Sequence, residues 1–217
     1  MSFELRPADD KPVLNYLAGQ YLGIEVKPSN SEHTEIRQYS LSQASNGVSY
    51  RISVKREGDE HKGLVSHYLH DELQVGDSVT LYPPAGDFFY QPTDKPVVLI
   101  AAGVGATPIQ AMAQTLATQN KANVSYFYAC EDADQHTFRV ESEQLITANQ
   151  WQQKVWYRDQ HGLMDLSAIA KQVPASEGEF YLCGPVAFME HAVKQLEGLN
   201  VSREQIHYEV FGPHRYL

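Results

Sequence analysis

The chain has 217 residues, 42% of them apolar and 20% charged, which suits one large core or two smaller ones in an ordinary soluble protein. Its formal charge of −10 argues against nucleic acid and against an anionic membrane, since both demand a basic face. No basic segment followed by an apolar core opens the sequence, and the apolar run at 97–102 is far too short to span a bilayer. Cys130 and Cys183 form no Cys-x-x-Cys pair. A reducing compartment, most simply the cytoplasm, is therefore expected, with no four-cysteine iron–sulfur centre built from this chain alone.

The first part of the chain alternates at period two, with turn residues at short intervals. Residues 21–27, 36–42, 50–55 and 78–82 read as strands. Asn46 followed by Gly47 signals a tight hairpin turn, because such a turn needs positive φ. Leu64, Val65, Tyr68, Leu69 and Leu73 recur at spacings that place them on one helical face. Residues 1–93 are thus predicted to form a small antiparallel β-barrel with one helix, and the two prolines within 91–96 mark a hinge.

From residue 94 to 217 strand and helix patterns take turns. Strands are expected at 97–102, 123–129, 153–157, 179–183 and 206–211, with helices near 108–119, 138–148, 165–173 and 185–197. That alternation predicts a doubly wound α/β domain on a five-stranded parallel sheet, with ligands beyond the carboxyl ends of its strands.

Three segments have the chemistry to hold anions. Arg37, Gln38, Tyr39 and Ser40 lie on a strand, which puts Arg37 and Tyr39 on one face and Ser40 on the other. They offer a cation for phosphate, an aromatic plate and a small donor, although alone they would equally make an exposed strand. Gly63 and Ser66 open the barrel helix, where a hydroxyl and free N–H groups suit a phosphate; taken singly, this is an ordinary cap. Gly103, Val104, Gly105, Ala106, Thr107 and Pro108 follow the apolar run, so that a strand, a glycine turn and a helix N-terminus make a pyrophosphate site, although alone they would equally make a plain tight turn. Two dinucleotides would need that many cradles. His67 and His70 share a helix face without an evident third ligand, so no metal site is expected. The acids from Glu131 to Asp134 follow the second parallel strand, where a ribose-binding acid often lies and disfavours the extra phosphate of NADPH; a solvated loop fits them equally. Cys130 and Cys183 read as small buried residues separated by a strand rather than as a redox pair.

Together with Pro84, Ala85, Gly86, Asp87, Phe88 and Phe89, with Tyr181 to Pro185, and with His207 to Pro213, these motifs resemble the ferredoxin–NADP⁺ reductase superfamily. More narrowly, the chain is similar to the reductase module of bacterial flavohaemoglobins, the nitric oxide dioxygenases, along almost its whole length. The resemblance implies an FAD-dependent NAD(P)H oxidoreductase in which hydride passes from nicotinamide to flavin N5 and electrons then leave to an acceptor, haem in the complete family protein. It implies that Arg37 pairs with the FAD pyrophosphate beside Gln38, and that Tyr39 packs beside the flavin with Ser40 near N5. Tyr21 would also contact FAD, and Gly63 and Ser66 would hold its pyrophosphate from the helix side. The turn from Gly103 to Pro108 would receive NADH or NADPH, and Cys183, Gly184 and Pro185 would line the nicotinamide's approach. Val210, Phe211, Gly212 and Pro213 would close over the flavin, and Glu209 would stand between flavin and acceptor.

Two departures are expected to matter. The chain has no room for a globin, so by itself it would not oxygenate nitric oxide. In the family another barrel strand precedes the segment resembling residues 2–7, so an exposed barrel edge and loose FAD retention are expected here. That strand could come from another chain, be dispensable or be lost to truncation. The alternatives are a free-standing reductase serving a separate haem or other electron-acceptor protein or free flavin, and a catalytically degenerate module that binds nucleotide or a partner without turnover.

Overall fold

The computed structural model describes residues 1–58, 60, 62–173 and 177–211. In the first part, β1 (Ser2–Leu5), β2 (Tyr21–Val26), β3 (Glu35–Ser40), β4 (Tyr50–Ser53), α1 (Leu64–Asp71) and β5 (Thr80–Leu81) follow in order. Every strand pairing here is antiparallel: β3-β2-β5 form one sheet and β1-β4 another. A bridge between Leu41 and Ile52 and the bond from Ser42 N to Arg51 O at 2.8 Å join the two sheets. Period-two alternation explains the shared core. Leu22, Ile24 and Val26 point inward from β2, Ile52 from β4, and Val65 and Leu69 from the apolar face of α1.

The expected strands are present but shorter, and β5 keeps two residues of the five predicted. Residues 2–5 form a strand, with Ser2 opposite Ser53 and Leu5 opposite Tyr50. The outer edge of β1 carries no partner among the described residues. Asn46 and Gly47 do turn the chain: the Asn46 side chain accepts the N–H groups of Val48 and Ser49 at 2.9 and 3.0 Å. That turn sits inside a longer connection, because the flanking strands stop pairing at Ser42 and Arg51.

In the second part, β6 (Val97–Ala102), β7 (Val124–Cys130), β8 (Gln152–Tyr157), β9 (Glu179–Gly184) and β10 (Ile206–Val210) form one sheet in the order β10-β9-β6-β7-β8, parallel throughout. All six residues of β6 are buried, as a strand covered on both faces requires. Val97, Leu99 and Ala101 meet α2 (Ala106–Thr118) and α3 (Arg139–Asn149) on one face. Val98 and Ile100 meet α6 (Val186–Gly198) on the other. Between β8 and β9 lie α4 (Arg158–His161) and α5 (Ile169–Gln172). The helix expected over 165–173 breaks into a 3-10 turn and α5, because the Asp165 carboxylate accepts Ser167 N at 2.8 Å and tightens the first turn. Cys130 and Cys183 lie on β7 and β9, on either side of β6, and both are free thiols. No helix among the described residues is long and apolar enough to cross a membrane.

The chain runs outward from β6 through β7 to β8, then returns to β9 on the other side of β6. The carboxyl ends of β6 and β9 therefore face each other at the switch in strand order, where ligands of such sheets bind. The first part leans on α2. Gly19, at φ +113°, lies so close that a Cβ would stand 2.6 Å from the Met112 methyl group. Ala44 N donates to Gln114 Oε1 at 2.9 Å, and Gln91 N to the Tyr181 hydroxyl at 3.1 Å.

An ion pair between an exposed lysine and a largely covered glutamate ties the connecting segment to the sheet. Lys95 Nζ lies 2.6 Å from one Glu179 oxygen and His207 Nε2 lies 2.9 Å from the other. Burial works against the charged form of Glu179, but the hydrogen bonds from Lys95 and His207 outweigh it and hold the carboxyl below its ordinary range. A depressed carboxyl stabilises the fold above its unfolded pKa, and that contribution disappears as pH falls through the folded value. Glu179→Gln should therefore lower the neutral-pH Tm by a few degrees, on the order of 1–2 kcal/mol. The gap to the parent protein should close on acidification from about pH 5 to about pH 3. A gap that stays constant across that range in calorimetric melting would contradict the assignment.

Candidate functional site

Two cavities open at the carboxyl ends of β6 and β9 and share a wall. The first, about 330 Å³, is lined by Arg37 to Ser40 of β3, the end of β4 with Lys55, the start of α1 from Gly63 to Ser66, and Val104, Thr107 and Phe211. The second, about 620 Å³, is lined by Gly103, Val104, Thr107 and Pro185, by Cys130 and Glu131, by the segment from Asp134 to Phe138, and across from them by Ser53 to Arg56 and His70. Ser53, Val54, Lys55, Val104 and Thr107 belong to both.

The chemistry of the first cavity starts at α1, whose N-terminus has no side-chain cap. The Ser66 hydroxyl instead accepts Glu57 N at 3.1 Å and donates to Gly63 O at 3.0 Å, closing the loop before the helix. Among the described residues the amides of the first turn have no side-chain acceptor, and they carry the positive end of the helix dipole. A Cβ at Gly63 would stand 2.7 Å from Ser66 Oγ, so a larger residue would push the loop apart. Arg37 stands at the rim, half exposed, with its guanidinium 3.0 Å from the Glu35 carboxylate and donating to Ile36 O at 2.8 Å. Burial pushes the Tyr39 phenol up to about 12, against the opposing pull of Arg37, so it is a neutral aromatic plate at physiological pH. Ser40 is buried at 8% exposure.

In the second cavity the helix end belongs to α2, which has no side-chain cap and follows directly on a 3-10 turn at Gly103–Gly105 whose Gly103 and Val104 carbonyls accept Ala106 N–H. Gly103 adopts φ +53° with nothing within 4 Å of where its Cβ would be, which leaves open space over the turn. Gly105 serves a different purpose: its Cα rests on the Cys183 carbonyl, and a side chain there would overlap the backbone of β9. Of the expected trio at the end of β9, Pro185 is on the lining, whereas Cys183 is fully buried. Its thiol is pushed well up by burial and then by the Glu209 charge, so it is no thiolate nucleophile. Burial likewise pushes the Cys130 thiol up to about 11. Burial also lowers the pKa of His136, which stacks on Tyr128 at 4.7 Å.

The structure brings Arg37, Gln38, Tyr39, Ser40, Gly63, Ser66, Val104, Thr107 and Phe211 around one cavity. Tyr21 is outside both linings: it pairs with Ser40 in the β2–β3 register, but its ring rests on Gly86. Glu209 also stays off the linings; it pairs with Cys183 in register and its carboxylate accepts Val210 N at 3.1 Å. Val210 is buried at 8% exposure, beside the lining residue Phe211. Gly212 and Pro213 lie outside the described residues. His67 and His70 give Nε2 to backbone carbonyls, of Glu57 and Gly58 and of Val54 respectively.

The sequence reading missed Ser53, Val54 and Lys55, the barrel side of the shared wall. Their one local signal is the basic pair Lys55 and Arg56 at the end of an alternating strand, seven residues before Gly63 opens α1. It also missed His136 and Phe138, which reach the second cavity through tertiary packing alone.

The residues fit dinucleotides. Two glycine turns precede two helix ends without a side-chain cap, each facing a cavity large enough for part of such a molecule, with an arginine and a neutral tyrosine beside the first. Comparison with known proteins agrees. The oxidoreductase FAD-binding domain family matches residues 1–90, and the oxidoreductase NAD-binding domain family matches residues 99–194. A flavohemoprotein of Vibrio cholerae serotype O1 is 58% identical over all of this chain, which spans 56% of that relative's length. The solved flavohem-like FAD/NAD binding domain of a nitric oxide dioxygenase from Vibrio cholerae O1 superposes with a TM-score of 0.94 at 58% identity, covering 98% of this chain and 92% of that one. A flavohemoglobin from Malassezia yamatoensis, solved with bound FAD and heme, gives a TM-score of 0.81 at 26% identity, covering 97% of this chain and 56% of that one.

Proposed function

Since the chain belongs to the flavohaemoglobin-reductase family of FAD- and NAD-binding oxidoreductase domains, we propose how its own residues carry out NAD(P)H oxidation and which nucleotide they prefer. FAD, when bound, supplies the redox chemistry, taking up a hydride and releasing electrons to an acceptor. The protein's part is to hold both dinucleotides with their rings facing and to exclude water.

The observation that carries this reading is the shared wall. Lys55, Val104 and Thr107 border both cavities, so ligands anchored at the two helix ends converge there. Arg37 and the first turn of α1 hold the FAD pyrophosphate; Tyr39 and Phe211 pack against its ring system, and the Ser40 hydroxyl donates to it. The turn at Gly103 and Gly105 with the start of α2 holds the nicotinamide dinucleotide, and Pro185 guides it from the β9 side. Tyr21 supports the FAD site from beside Ser40, and Glu209 belongs to the route by which electrons leave. We place the boundary between the FAD-binding and NAD-binding units at residues 93 and 94.

Glu131 sits at the end of β7 on the second cavity, 3.5 Å from Arg158, and its carboxylate disfavours a 2′-phosphate there. NADH is accordingly the preferred donor. The acceptor is a haem or other electron-acceptor protein, as the names of the flavohaemoglobin relatives suggest. Steady-state reduction of ferricyanide, with NADH and NADPH compared, tests this reading; equal kcat/KM for the two nucleotides would remove the role given to Glu131. Ser40→Ala should slow flavin reduction by about tenfold while leaving FAD content unchanged, the cost of one lost hydrogen bond in the transition state. Stopped-flow reduction at the parent rate would show that Ser40 does no more than pack.

A further inference from the structure

Arg51 is a β4 residue outside both cavities, and its contacts reach across to the second part of the chain. On its own side it is fixed to Ser42, donating to the hydroxyl at 3.2 Å and to the carbonyl. On the far side its guanidinium lies 2.9 Å from the Glu141 carboxylate of α3 and 5.3 Å from the centre of the Phe138 ring. The Arg51 side chain is 17% exposed, which shields its contact with the Phe138 ring, whereas Glu141 is 44% exposed and that ion pair is partly screened by water.

Phe138 precedes α3 in the left-handed region, at φ 58° and ψ 23°, a conformation that a bulky L-residue holds only when its surroundings impose it. It is also part of the second cavity's wall. The residue before it, Thr137, gives its N–H to the Tyr128 hydroxyl at 3.2 Å, and that hydroxyl lies 3.4 Å from the Gly103 carbonyl. The wall segment is therefore stitched to the glycine turn on one side and pressed from the barrel on the other.

We propose that Arg51 is a positioning residue for the nicotinamide dinucleotide: by clasping Phe138 and Glu141 it holds the outer wall of the second cavity at its binding width. The proposal rests on the reading of that cavity as the dinucleotide site. Because Arg51 touches neither cavity, its loss acts on affinity for the nucleotide and not on the hydride step.

The test compares Arg51→Ala, Phe138→Gly, their combination and Glu141→Gln in FAD-loaded protein, by NADH titration and by stopped-flow reduction. Arg51→Ala should raise Kd and KM for NADH by about tenfold, with FAD content and the limiting reduction rate within about twofold of the parent. Phe138→Gly, which suits the left-handed backbone but lacks the ring, should do the same, and the double variant should be no worse than either single one. Glu141→Gln, an exposed change that leaves the fold intact, should give about a threefold rise. Unchanged KM in Arg51→Ala and Glu141→Gln, or effects that multiply in the double variant, would overturn the clasp. A parent protein that binds no NADH would instead overturn the assignment of the cavity, and the proposal with it.

Discussion

Gly105→Ala should remove NADH-dependent flavin reduction almost entirely and lower the Tm by roughly 3–10 °C. The added methyl group would land on the carbonyl of Cys183, which is backbone of the buried end of β9 and has no rotamer by which to yield. The turn must then move away from β9, and the amides of α2 move with it. The loss in NADH affinity should reach at least a hundredfold, on the order of 3 kcal/mol. FAD content should stay near that of the parent, because the Arg37 and α1 side of the first cavity belongs to the barrel. Thermal melting together with NADH titration checks both halves of this expectation. A variant that melts and binds like the parent would mean that β9 and the turn are not packed as described.

Arg37→Ala should weaken FAD retention by about 10- to 150-fold, the worth of a charge-assisted hydrogen bond to phosphate. In the structure the guanidinium rests on Glu35 and on the carbonyl of Ile36 at the rim of the first cavity. It is therefore already oriented beside the cradle and loses little freedom on engaging a phosphate. Glu35→Gln is the informative companion, since it releases the arginine without removing it and should leave FAD content close to that of the parent. Flavin absorbance per protein after desalting reads both variants. Equal retention in Arg37→Ala would assign the pyrophosphate to the α1 amides and Lys55 instead.

The parts of the fold that sequence made legible are those whose pattern is local. Six consecutive apolar residues from Val97 to Ala102 predicted a strand covered on both faces, and its neighbours on the two sides confirm why each position must be apolar. The α1 face was legible because Val65 and Leu69 recur at helical spacing over one core. By contrast, α4 is a polar turn, Arg158–His161, with no buried residue and hence no periodicity to find. The strand β1 is four residues long, and its partner lies some fifty residues away.

The site divides in the same way. The glycine turns and the Arg37 strand advertise themselves through residue types that anion binding requires. Lys55 does not, because a lysine ending a strand is ordinary, and its value comes from standing between two cavities that only the folded chain creates. Phe138 is harder still, since its left-handed backbone and its place in the cavity wall depend on contacts from Arg51 on another sheet. Tyr21 is a different case: family likeness alone places it at FAD, and in the fold its ring rests on Gly86 beside its register partner Ser40.

Anaerobic mixing of the FAD-loaded protein with NADH, followed by flavin absorbance, tests the central claim that the two cavities bring both dinucleotides to one wall. The arrangement predicts rapid bleaching, faster with NADH than with NADPH. Bound FAD that stays oxidised in excess NADH would contradict it, because both cofactor sites would then be present without meeting.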